Sequence, residues 1–204
     1  MDEAEITLSG ARTSEDYRLV LESSLEEYGR LSRMIDSLLF LARAEIAQTC
    51  IERSRLDVHG ELEAVLAFYE ALADDHGVAL FCQGEAGLDA DPILLRRALS
   101  NLLSNALRHT PRGGQIALAV QASDVALEIS VADSGCGIAP EHLPKLFDRF
   151  YRADAARVHS AEGSGLGLAI VKSIMVLHGG SALIASTPGK GTTVTLRFPA
   201  VNAT

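Results

Sequence analysis

Asn101 and Asn105 stand four residues apart in the run Asn101-Leu102-Leu103-Ser104-Asn105-Ala106. On a helix that spacing puts both carboxamides on one face. A carboxamide offers a neutral oxygen to a hard cation and N–H donors to an anion. Such a pair holds Mg²⁺ and phosphate together without adding negative charge. Asn-x-x-x-Asn alone is an ordinary helical pattern. Its significance here comes from three glycine-rich segments that follow it in order.

The first is Asp133-Ser134-Gly135-Cys136-Gly137, after an apolar stretch ending in Val131. A carboxylate at a strand end accepts a hydrogen bond from an amino group such as the adenine N6. Gly135 and Gly137 let the backbone approach a flat ring. The second is Gly163-Ser164-Gly165-Leu166-Gly167, leading into an apolar helix. Its backbone N–H groups and the helix N-terminus favour an anion. No apolar strand precedes it, as a dinucleotide fingerprint requires, and the Gly-Lys-Ser/Thr of a Walker loop is absent. The third, Gly189-Lys190-Gly191-Thr192, is by itself a hairpin turn. Between the first two lie Phe147 and Phe150, expected as local core, with Arg149, Arg152 and Arg157 nearby. The polar stretch from Arg152 to Glu162 reads as a mobile cover over a nucleotide.

Elements must position these groups. Residues 14 to about 47 read as one long helix, capped by Thr13 or Ser14, with Glu15 and Asp16 in its first turn. Leu21, Leu25, Tyr28, Ile35, Leu39 and Ala42 form one stripe, and Leu31, Met34, Leu38 and Leu41 a second beside it. So wide an apolar face suits a helix bundle. Residues 1 to 10 read as the stub of another helix, with a hairpin turn from Gly10 to Thr13. Downstream the pattern is mixed. A short strand is expected near the start of 51–58, a helix over 61–73 and a strand over 78–82. Asp91-Pro92 opens the helix that carries both asparagines and runs to His109. A hairpin is expected from 116–120 and 125–131, a short helix over 141–150 and a helix over 167–178. Strands at 182–185 and 193–198 close a sheet. The fold class is an α/β sandwich preceded by a bundle-type helix.

Composition bounds the function. The 204 residues are 48% hydrophobic and 22% charged, which is globular. A formal net charge of −9 argues against a nucleic-acid surface. Cys50, Cys82 and Cys136 form neither a zinc pattern nor a disulfide framework, so a reducing cytoplasm is the expected setting. No apolar run is long enough to span a bilayer.

Together the segments resemble the ATP-binding catalytic domain of sensor histidine kinases, whose fold is shared with gyrase, a class of heat-shock chaperones and mismatch-repair ATPases. Asn101 to Asn105 resembles the family's N box, Asp133 to Gly137 its first glycine box and Phe147 to Phe150 its F box. Gly163 to Gly167 resembles the second glycine box and Gly189 to Thr192 the third. Leu31 to Glu45 resembles the second helix of the dimerisation and phosphotransfer domain, and its wording, with Leu94 to Pro111, is similar to heavy-metal sensor kinases. The resemblance implies a partial helical hairpin over residues 1–47 and a catalytic domain over 48–204. It implies that Asn101 coordinates Mg²⁺, that Asn105 and Arg108 face the ATP phosphates, and that His109 lies against the nucleotide. Asp133 takes the adenine amino group, Thr192 supports the adenine side through water, and Arg152 touches phosphate. Gly135, Gly137, Gly163, Gly165, Leu166 and Gly167 line the nucleotide through their backbone.

Two departures qualify that reading. ATPases of the superfamily carry a glutamate four residues before the first asparagine as the base that activates water. Here that position is Arg97, which cannot act as a base at neutral pH. Phosphoryl transfer is therefore expected over hydrolysis. The family's acceptor histidine lies in a His-Glu-x-Arg-Thr-Pro-like box, and none of His59, His76, His109, His142, His159 and His178 sits in such a context. The chain is expected to follow that box in a longer protein anchored in the bacterial inner membrane. The expected partners are the acceptor-histidine helix of an intact kinase, a response regulator receiver domain and a second copy through residues 14–47. The rival expectations are a non-catalytic module regulating an intact kinase, and a stand-alone serine kinase or ATPase.

Overall fold

The structure, a computed structural model, describes residues 13–46, 50–153 and 164–199. The chain divides into two compact units, one ending at Phe40 and the next beginning at Leu41. Helix α1 spans Ser14–Ala44. Its start is a reciprocal cap: Asp16 N–H donates to Thr13 Oγ1 at 3.2 Å and Thr13 N–H donates to Asp16 Oδ2 at 3.0 Å. Leu21, Leu25, Tyr28, Ile35 and Leu39 are all more than half exposed along it.

The second unit is a two-layer α/β sandwich. Its elements are β1 (Ser54–Asp57), α2 (Val58–His76), β2 (Ala79–Gln83), β3 (Gly87–Ala90), α3 (Pro92–His109), β4 (Gln115–Ala122), β5 (Ala126–Asp133), α4 (Gly167–Leu177), β6 (Ser181–Thr187) and β7 (Gly191–Pro199). Five strands form a mixed sheet in the order β2-β4-β5-β7-β6, with β2 and β4 parallel and the other neighbours antiparallel. Alternation puts Ile116, Leu118 and Val120 of β4, Ile129 and Val131 of β5, and Val194, Leu196 and Phe198 of β7 on one buried face. The apolar sides of α2, α3 and α4 close over it, through Leu62 and Val65, Leu95, Leu99 and Leu103, and Ile170 and Ile174.

Helix α3 begins where its local chemistry dictates. Asp91 Oδ1 accepts the N–H groups of Ile93 and Leu94, both at 3.0 Å, and Pro92 occupies the first turn, where no N–H is needed. One expectation is corrected, and one strand was not expected. Residues 141–150 form no α-helix: a single 3₁₀ turn over Leu143–Lys145 is followed by further turns, with N–H groups of His142, Lys145, Asp148 and Tyr151 each bonded three residues back. Pro144 has no N–H to give a helical ladder, and the segment ends at Phe150 in the left-handed region, φ 62°. A strand not expected from sequence, β3, pairs antiparallel with β1 as a separate two-stranded sheet.

Candidate functional site

The side chain of Asn101 is oriented by its own helix. Its Nδ2 donates to the carbonyl of Arg97, one turn back, at 2.8 Å. That bond consumes a donor and leaves Oδ1 as the group turned away from α3. Oδ1 faces the head of α4: a Cβ built on Gly167 would lie 3.2 Å from it. Gly167 is the first residue of α4, and the first-turn N–H groups of a helix have no partner within the helix. A neutral oxygen and a positive helix end thus meet at one place, with Asn105 half-buried one turn further along α3.

The C-terminal end of α3 meets the loop after β5. An added Cβ on Gly135 would lie 2.4 Å from the His109 carbonyl oxygen and 2.7 Å from Asp133 Oδ1, so only glycine allows this approach. Asp133 Oδ1 accepts the N–H of Gly135 at 2.8 Å and that of Thr192 at 3.2 Å. The second bond follows from strand register, which puts Asp133 opposite Thr192 across β5 and β7. Asp133 Oδ2 has no hydrogen-bond partner among the described residues, so the carboxylate is aimed with one oxygen available. Burial raises the Asp133 carboxyl pKa above its ordinary value. The Gly135 and Thr192 N–H groups and His109 oppose that rise.

Thr192 is held by a residue that sequence reasoning missed. Ser186 Oγ accepts Ile138 N–H at 2.8 Å, donates to the Gly191 carbonyl at 2.8 Å, and lies 2.8 Å from Thr192 Oγ1. A hydroxyl has one proton to give. Ser186 gives its proton to Gly191, so Thr192 donates to Ser186, and the remaining capacity of Thr192 Oγ1 is as an acceptor. That suits a water or an amino group of a ligand. Nothing local in the sequence marks Ser186; its place opposite Thr192 appears only with the β6–β7 register.

Arg108, Asp133 and Arg152 all lie within electrostatic reach of His109. Burial lowers the His109 pKa first, Arg108 and Arg152 lower it further, and Asp133 partly offsets them. The imidazole is therefore neutral near pH 7, between two guanidinium groups and a carboxylate. Arg108 is exposed at the rim and Arg152 half-buried. The structure thus brings together Asn101, Gly167 and the head of α4 at one end, and His109, Arg108, Asp133, Gly135 and Arg152 at the other.

The second glycine segment is partly described. Gly163 lies outside the described residues. Gly165 has φ +68°, its carbonyl accepts Phe150 N–H at 2.9 Å, and a Cβ there would meet the Phe150 backbone at 2.8 Å. Leu166 is fully buried, so it anchors the segment by its side chain and offers only backbone to a ligand. Phe150 is 55% exposed, against the expectation of a core role; its backbone bond to Gly165 anchors the segment instead. Gly137 has φ +68° and packs on the Thr187 carbonyl, and Cys136 O accepts Gly189 N–H at 2.7 Å, which joins the first and third glycine segments.

Mg²⁺ fits this donor set. No group of three His, Cys, Asp or Glu side chains suited to a metal occurs among the described residues. A single oriented carboxamide oxygen beside an anion-favouring helix end suits an ion that takes most of its ligands from phosphate and water.

Residues 90–202 match the family described as histidine kinase-, DNA gyrase B-, and HSP90-like ATPase. Among curated relatives, the chain is 50% identical over 199 residues to the sensor protein IrlS of Burkholderia pseudomallei, covering 97% of this chain and 43% of that protein. It is 47% identical over 199 residues to the sensor histidine kinase CusS of Escherichia coli K12, covering 97% and 41%. The chain thus spans about two fifths of the length of these relatives. Among solved structures, full-length ShkA in complex with AMPPNP is similar with a TM-score of 0.79 and 27% identity, covering 96% of this chain and 41% of that one. The Acinetobacter baumannii histidine kinase AdeS shares the fold with a TM-score of 0.81 at 22% identity, covering 98% and 92%.

Proposed function

The chain belongs to the histidine kinase-, DNA gyrase B- and HSP90-like ATPase family, and we propose that within it the protein is the catalytic part of a sensor histidine kinase that binds Mg·ATP. The observation that carries this reading is the tie from Asn101 Nδ2 to the Arg97 carbonyl, which turns Oδ1 toward the glycine-led head of α4.

Each residue then has a role. The available oxygen of Asp133 accepts the adenine amino group, and Thr192 supports the same edge through a water. His109 lies along the nucleotide as a neutral ring. Asn105, Arg108 and Arg152 face the phosphates, with the N–H groups of Gly165, Leu166 and Gly167. Asn101 Oδ1 holds Mg²⁺, which when bound neutralises charge on the phosphates. Arg97 supplies no base for water, in keeping with transfer to a protein acceptor. That acceptor is a histidine nitrogen on a helix outside these residues, and an aspartate of a response regulator receives the phosphoryl group in turn. The exposed apolar stripe of α1 supports a homodimer through residues 14–47, with 48–204 as the catalytic domain. Among the described residues no helix is long and apolar enough to cross a membrane. Anchoring of a longer parent protein in the bacterial inner membrane is part of the same proposal.

The test is calorimetry with ATP in the presence and absence of Mg²⁺. Asn101→Ala is expected to remove the Mg-dependent part of the affinity; an unchanged affinity sinks the assignment. Acid-labile, alkali-stable label on a supplied acceptor helix, with little phosphate released to solution, is the expected outcome of incubation with γ-labelled ATP. Steady phosphate release without a labelled helix refutes transfer.

A further inference from the structure

His178 closes α4 and is 2% exposed. Its Nε2 accepts the N–H of Asp91 at 3.1 Å, so the proton sits on Nδ1, which donates to the Ile174 carbonyl at 2.8 Å. Asp91 is the residue that caps α3. It bonds the N–H groups of Ile93 and Leu94 through Oδ1 and that of Glu52 through Oδ2. Arg53 donates to the His178 carbonyl at 3.1 Å. The edge of the ring meets Phe198 of β7, with centroids 5.6 Å apart.

This corner lies at the opposite end of the α3–α4 pair from the proposed Mg·ATP contact. Asp91 meets His178 at the start of α3 and the end of α4; Asn101 meets Gly167 at the middle of α3 and the start of α4. The two helices are packed together. Asp91 and Asn101 are ten positions apart and Gly167 and His178 eleven, roughly 15 Å along each helix at 1.5 Å per residue. A tie at one end of such a pair fixes how far one helix can slide along the other. Resting on the Mg·ATP reading above, we propose that His178 is a positioning residue: its neutral imidazole pins the register of α3 on α4 and thereby places the Asn101 oxygen over the head of α4.

The charged groups facing the ring are Arg53 from the entering segment and Asp91 from the head of α3; β7 presents the apolar Phe198. Burial is the main reason its pKa is lowered, with Arg53 adding to the effect and the Ile174 bond and Asp91 opposing it. A proton on Nε2 would set two N–H groups against each other and break the tie.

The experiment measures the ratio of ATP-analogue affinity with Mg²⁺ to that in EDTA, by calorimetry on the 204-residue chain. His178→Leu, which has no acceptor, is expected to cut that ratio about tenfold at pH 7.5, on the scale by which ångström misplacements weaken a site. Affinity in EDTA should stay near that of the parent. His178→Gln offers an acceptor oxygen that never protonates. It should restore the ratio at about pH 7.5 and hold it as pH is lowered, while the parent loses it once His178 protonates, below the ordinary histidine range. A purely structural histidine would lower both affinities together, and that result overturns the proposal. So does a Leu variant with an unchanged ratio. If the Leu variant does not fold, parallel pH profiles of parent and Gln variant overturn it. If the parent shows no Mg-dependent binding, the Mg·ATP reading fails by itself. The register is then read from the Asn101 side-chain and Gly167 backbone NMR resonances. Resonances that shift in Leu and return in Gln uphold the pin; unmoved resonances in a folded Leu variant overturn it.

Discussion

Asn101 Oδ1 and Gly167 stand face to face, 3.2 Å from the oxygen to where a Cβ on Gly167 would lie. Two helices whose sequences are 66 residues apart at this point meet through the smallest side chain available. The contact is tight enough that any added atom must displace the carboxamide by a few tenths of an ångström.

We predict that Gly167→Ala lowers Mg-dependent ATP affinity by about tenfold while changing stability by less than about 1 kcal/mol, because alanine improves helix propensity as it crowds the oxygen. Paired calorimetry and urea unfolding check this. A full-affinity alanine variant contradicts the face-to-face arrangement.

Asp133→Asn keeps Oδ1, which accepts from Gly135 and Thr192, and exchanges the available Oδ2 for a donor. A donor opposed to the adenine amino group should cost about 1–3 kcal/mol, roughly ten- to a hundredfold in ATP affinity. Inosine triphosphate presents an acceptor at the same ring position, so the variant's preference for ATP over it should narrow or reverse. Equal losses for both nucleotides would show that Asp133 does not read the amino group.

Gly137 and Gly189 have nearly the same backbone, φ +68° and +75°. A Cβ on Gly137 would lie 2.0 Å from the Thr187 carbonyl oxygen, and one on Gly189 would meet nothing within 4 Å. Gly189→Ala should therefore cost only the left-handed strain, about 1–2 kcal/mol. Gly137→Ala should cost at least about 2 kcal/mol more. Urea midpoints of the two variants make the comparison, and equal midpoints would rule out the close approach.

Stability should rise with pH through the weakly acidic range. His109 and His178 both have folded pKa values below the ordinary 6.5, chiefly through burial. Below that value the unfolded chain binds more protons than the folded one, so stability present at pH 7.5 is lost as pH falls from 6.5 toward the folded values. Asp133, raised above its ordinary 3.8, acts in the opposite direction at lower pH, because the folded state is protonated first. Urea midpoints should drop between pH 7.5 and 5.5. Replacing His109 and His178 with glutamine should flatten that drop, and a pH-independent midpoint in the parent would exclude the effect.

Much of the site was legible because its signals are local. Asp91-Pro92 marks the start of α3 through a cap and a ring that act on the next few residues. Alternation over 116–120 and 125–131 gives the β4–β5 hairpin. The segment 141–150 misled because its apolar spacing resembles a helix, whereas Pro144 and the approach to Gly165 leave a chain of tight turns. Strand β3 was hidden because four residues with only Leu88 and Ala90 apolar carry too little pattern to see.

By itself the sequence determined the order of the glycine segments, the helix that carries both asparagines, and the carboxylate at the end of β5. It did so because capping, proline geometry and hydrophobic period act between near neighbours. Only the tertiary structure decided that the oxygen of Asn101, and not its nitrogen, faces α4, how Thr192 and Ser186 aim Asp133, and that His178 ties the far end of the same helix pair. Those relationships join residues 59, 66 and 87 positions apart. They depend on strand register and helix packing, which are set by the burial of the whole apolar face rather than by any local choice.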